Sequence, residues 1–121
     1  MTIRAEALRW LAGRKVGGGH VVTSRWYRPD ESWTKGNAWW VRVPAAPVRE
    51  GRVIDIVCEA EPGTHRFRHL RVPAAFFQQH IDDFAMIGDD TISLFLAAEK
   101  GHEFEDQRGP GRVSLASFEQ R

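Results

Sequence analysis

The sequence predicts an α+β domain: a twisted, mostly antiparallel sheet of five or six strands with two helices, open to curling into a partial barrel. Three observations carry that expectation. Arg52–Ala60 alternates its side chains with the period of two that marks a half-buried strand, Ile54, Ile56, Cys58 and Ala60 pointing one way. Ile3, Ala7, Leu8, Trp10 and Leu11 recur at helical spacing, giving one helix a face to bury. Clusters of Gly, Pro, Asn and Asp punctuate the apolar stretches at short intervals.

Element by element, Thr2 is an N-cap for a helix over Ile3–Ala12, and Gly13 is its stop signal. Gly17, Gly18 and Gly19 then break the chain. Val21–Tyr27 reads as a strand, and 29–37 as an irregular loop. Ala38–Val43 is a second strand, closed by Pro44 and Pro47. The short Glu61–Thr64 turn joins Arg52–Ala60 to a strand over His65–Val72 as an antiparallel hairpin. Pro73 suits the first turn of a second helix, where its missing N–H is harmless, and Phe77, Ile81 and Phe84 form that helix's apolar stripe. Gly88-Asp89-Asp90 turns the chain into a strand over Thr91–Ala97. Gly109-Pro110-Gly111 precedes a last strand over Arg112–Phe118.

The 121 residues suit one domain, spanning 1–121. Charged residues at 27% and hydrophobic residues at 42% match globular averages and exclude disordered, collagen-like and coiled-coil classes. No apolar run approaches the ~18 residues of a membrane span, and the start does not read as a signal peptide, so no membrane partner is expected. The lone Cys58 excludes a disulfide framework and a thiolate-rich zinc site, and a cytoplasmic location follows as the expectation.

Charge is unevenly placed although the net is only +1. The first fifty residues carry nine Lys/Arg against four acids, while Asp82, Asp83, Asp89, Asp90, Glu99, Glu103, Glu105 and Asp106 face only Lys100. Such asymmetry suits one face for an anion and an acidic region that lies away from it or docks a protein. All five tryptophans fall in the first forty residues. Trp10 belongs to the buried helix face, whereas Trp39 and Trp40 project to opposite sides of their strand.

Trp26, Tyr27 and Trp33 are interleaved with Arg25, Arg28 and Lys35. Flat rings stack on nucleobases while neighbouring cations neutralise phosphates. Arg66 and Arg68 share one face of their strand and match contacts along a phosphate backbone. The sequence therefore points to a small non-catalytic nucleic-acid-binding domain. Its expected contacts are Arg25, Trp26, Tyr27, Arg28, Trp33, Lys35, Arg66 and Arg68, on a surface running from Arg14 to Arg42.

Other readings compete with this one. Large aromatics also anchor loops onto small cores, and an arginine-rich strand is also a protected sheet edge. A protein-interaction module, such as a phage, toxin–antitoxin or defence-system component, would use the Trp-rich loop as its contact patch. A metal-dependent nuclease or hydrolase would use Asp55, Glu59 and Glu61, but no lysine accompanies them on that strand. Cys58 with His65 and His69 lacks zinc spacing, the 82–90 acids lack EF-hand spacing, and Arg14–Gly19 lacks the Lys-Ser/Thr ending of a phosphate loop. No cofactor and no metal is expected.

Overall fold

A computed structural model describes residues 3–14, 17–29 and 36–120. Helix α1 (Ile3–Gly13) buries Ala7 and Leu11, four residues apart on one face. Ile3 and Trp10 pack beside them against Val57, Phe67 and Val21. Leu8, expected on that stripe, faces solvent, because the buried face is narrower than the run of apolar residues.

The expected Val21–Tyr27 strand is two strands in two sheets. Strand β1 (His20–Ser24) pairs in parallel with β4 (Ile54–Glu59), and β2 (Trp26–Tyr27) pairs antiparallel with β3 (Ala38–Pro44). The chain changes sheets at Arg25. Helix α2 (Ala45–Arg49) follows β3 directly and was not foreseen, since two prolines flank and enter it. Pro44 caps it and Pro47 falls in its first turn, where a missing N–H breaks no helical bond.

β4 is buried at all six positions, not on one face only. Its Ile54, Ile56 and Cys58 side enters the main core, while α1 covers the side bearing Val57. Strand β5 (Phe67–Val72) forms the expected hairpin with β4 and starts two residues later than foreseen. Helix α3 (Ala74–Gln79) stops short of the predicted Phe84. A 3-10 turn over Ile81–Asp83 follows, leaving Ile81 exposed while Phe77 and Phe84 stay buried.

Strand β6 (Ala85–Ile87), too short to show a pattern, forms a hairpin with β7 (Thr91–Ala97). Gly88 makes the turn at φ 63°, a conformation that glycine adopts without steric cost. The expected strand over Arg112–Phe118 does not form. Arg112 adopts φ 50°, 116–118 is a 3-10 turn, and only β8 (Glu119–Gln120) joins a sheet.

The described residues form eight strands in two sheets, ordered β1-β4-β5-β8 and β2-β3-β7-β6, rather than one sheet of five or six. Among the described residues three α-helices replace the expected two, and no closed barrel forms. Every pairing between these strands except β1 with β4 is antiparallel. Trp39, Val41, Ile56, Leu70, Phe77, Leu94, Phe104 and Leu115 meet in a core drawn from both sheets. No helix among the described residues is long and apolar enough to cross a membrane.

Candidate nucleic-acid interface

Alternation along β3 decides where its aromatic residues go. Trp39, Val41 and Val43 are fully buried, so Trp40, Arg42 and Pro44 project from the other face. Trp39 stacks on Phe104 at 4.9 Å and donates its indole N–H to the Glu59 carbonyl at 2.7 Å. Trp40 is half-buried and donates to Ser93 Oγ at 3.1 Å. Its ring meets Phe95 edge-on at 5.6 Å, across the Trp40–Phe95 register pair. Tyr27, paired with Ala38, lies 6.2 Å from Trp40 on its other side.

The outer face of this sheet thus carries a row Tyr27–Trp40–Phe95 across three strands. An arginine covers each ring: Arg25 lies 3.9 Å from the Tyr27 centroid, Arg42 4.0 Å from Trp40 and Arg108 5.1 Å from Phe95. These are cation–π distances. Phe95 is only 5% exposed, so Tyr27 and Trp40 are the rings within reach of a ligand.

Beside them opens a cleft of about 480 Å³, where the edge of β1 meets this face. Arg4 from the first turn of α1, His20 and Thr23 from β1, Tyr27, Trp40 and Arg42 line it. No acidic side chain is among its described lining residues. The side chains of Arg4 and His20 make no hydrogen bond or ion pair with the described residues, and Arg42 only stacks on Trp40.

The other expected contacts are distributed differently. Trp26 turns inward, edge-on to Trp39 at 5.7 Å, and its backbone N–H reaches Glu59 Oε1 at 2.9 Å. Arg28 is exposed beyond β2, and Arg66 is exposed before β5. Trp33 and Lys35 lie outside the described residues. Arg68 points to the end of the core, where it binds Glu119 at 2.7 and 2.8 Å and also contacts Glu103. The Glu119 hydrogen bonds, with Glu103, push its pKa further up, so its charge is permanent but matched.

Buried Asp55 has structural partners. Asp55 accepts from Arg71 at 3.0 and 3.1 Å and lies 2.7 Å from His69 Nε2. All three occupy the α1-side face of their sheet, and Arg71 also donates to the Gly17 carbonyl at 3.2 Å. Cys58 enters the main core on the opposite face, away from His69, and burial pushes its thiol pKa up. Among the described residues no three His, Cys, Asp or Glu converge as metal ligands.

Of the contacts named from the sequence, Tyr27 lines the cleft and Arg25 stacks on its ring, whereas Arg4, His20 and Trp40 were not among those contacts. The even positions of Ala38–Pro44 already place Trp40 and Arg42 together. The approach of α1 to β1 has no local signal. No protein-family model, curated protein or solved structure matches the chain.

Proposed function

We propose that the protein binds single-stranded nucleic acid in the cleft and along the Tyr27–Trp40 row. The observation that carries this reading is the convergence of two half-buried rings, Tyr27 and Trp40, with Arg4, His20 and Arg42 in a cleft whose described lining holds no acid. Bases stack on aromatic rings or on guanidinium planes, and Arg25 and Arg42 present such planes over Tyr27 and Trp40. Both rings are half-buried and share the cleft with β1, an arrangement that suits an unpaired base better than a stacked pair and favours a single strand over a duplex. Arg4 and Arg42 have no carboxylate partner among the described residues and are left to neutralise phosphates. Arg68 adds little here, since two carboxylates already face it.

Fluorescence anisotropy of labelled single-stranded and duplex oligonucleotides at several salt concentrations tests the reading. Single strands should bind more tightly. Arg42→Ala should flatten the dependence of log K on log salt by about 0.7, the loss of one single-strand phosphate contact. Tyr27→Ala should weaken binding at every salt, by roughly 1–3 kcal/mol for one stacked base. Absence of binding at low salt, or binding indifferent to both changes, refutes it.

A further inference from the structure

We infer that the cleft holds the phosphorylated end of a strand, a phosphate monoester, rather than an internal phosphodiester. This rests on the nucleic-acid reading and specifies the part of the ligand that the cleft takes.

Three features point to an end. Arg4, His20 and Arg42 surround a single space of about 480 Å³. An internal diester carries one negative charge, whereas a phosphate monoester carries about −1.5 to −2 at neutral pH and offers three acceptor oxygens. The monoester is the better match for three donors around one site.

The backbone supplies further donors. Among the described residues β1 is an edge strand whose one partner is β4, and the His20 N–H bonds the Val53 carbonyl on that side. Alternation then turns the amides of Val21 and Thr23, which also line the cleft, toward the open edge. Finally, the cleft takes in two of the row's three rings, Tyr27 and Trp40, and not Phe95. His20–Thr23 of β1 line the cleft together with both rings, so a strand whose terminal base stacks on Trp40 or Tyr27 seats its end phosphate among Arg4, His20 and Arg42.

The test compares one single-stranded sequence bearing a 5′-phosphate, a 3′-phosphate or two hydroxyl ends, together with adenosine monophosphate as a free nucleotide. One phosphorylated end should bind about tenfold tighter than the hydroxyl-ended strand, the worth of one charge-assisted contact. Arg4→Ala should erase that margin and Arg4→Lys should restore part of it. Tyr27→Ala should weaken all oligonucleotides alike. Arg4 is exposed on α1, and circular dichroism verifies that both variants fold.

Equal affinity for phosphorylated and hydroxyl ends overturns this inference and leaves the single-strand reading standing. Binding of adenosine monophosphate as tight as that of the phosphorylated strand, and equally sensitive to Arg4→Ala, overturns the strand-end assignment in favour of a free nucleotide. No binding of any oligonucleotide removes both readings.

Discussion

Asp106 ties the 104–112 segment to β7, and removing its carboxylate should be among the most damaging single changes outside the main core. The side chain is fully buried and accepts three backbone N–H groups, from Phe95, Arg108 and Gly109, each at 3.1 Å. In Asp106→Ala the amides of Phe95 and Gly109 stay buried without an acceptor, while half-buried Arg108 can turn to water. At ~1–3 kcal/mol for each stranded donor, the expected loss is about 4 kcal/mol. In a chain of 121 residues that lowers the melting temperature by about 15 °C. Asp106→Asn keeps an oxygen for Phe95 and Arg108 and loses only the Gly109 bond, for about 2 kcal/mol. Urea unfolding followed by tryptophan fluorescence measures both. An alanine variant within 1 kcal/mol of the parent would show that the segment is held by something else.

Further outcomes follow from the same structure. Burial raises the Asp106 pKa more than its three amide donors lower it. A raised folded pKa gives stability that is complete below the ordinary carboxylate value and is lost as pH rises through the folded one. The stability gap between the parent and Asp106→Asn should therefore shrink between pH 3 and pH 7, and a widening gap contradicts the assignment. Gly109→Ala would place a methyl group against the Asp83 carbonyl, 2.7 Å from Asp106 Oδ2 and 2.9 Å from Phe84 Cα. Two of those atoms are backbone, so unfolding measurements should show a loss of about 1–3 kcal/mol. Cys58 should resist a thiol reagent in the folded protein and react fully in denaturant, because a buried thiol with a raised pKa forms no thiolate. Rapid labelling of the native protein would place it elsewhere.

What the sequence could show depended on how local each cause was. Strands β3, β4, β5 and β7 were legible because alternation and bounding turns are properties of short windows. The ends of α3 and the fate of 112–118 were not. His80 and Asp83 close a turn at 3.0 Å, and the Gly111 N–H bonds the Asp83 carbonyl from far along the chain. Such a tertiary partner leaves no periodic trace. The Arg25 crossover was hidden for a related reason: the pattern through Tyr27 is continuous, and only the identity of each half's neighbour separates β1 from β2. In the candidate interface, the aromatic and basic character of 25–28 was visible, but whether each ring faced the core was not. Trp26 went inward because Trp39 and Glu59 lie beneath it, and Tyr27 stayed out. Arg68 looked available until Glu103 and Glu119, both distant in sequence, were placed beside it.

The indole N–H signals of Trp39 and Trp40 provide the most direct test of where a strand binds. They belong to adjacent residues on opposite faces, one bonded to the Glu59 carbonyl and the other to Ser93. In a two-dimensional NMR titration with a short 5′- or 3′-phosphorylated single strand, the Trp40 indole and the amides of Val21, Thr23 and Arg42 should shift together. The Trp39 indole should hold still. Shifts centred instead on Trp10 and Phe67, or no shifts at saturating oligonucleotide, would contradict the account.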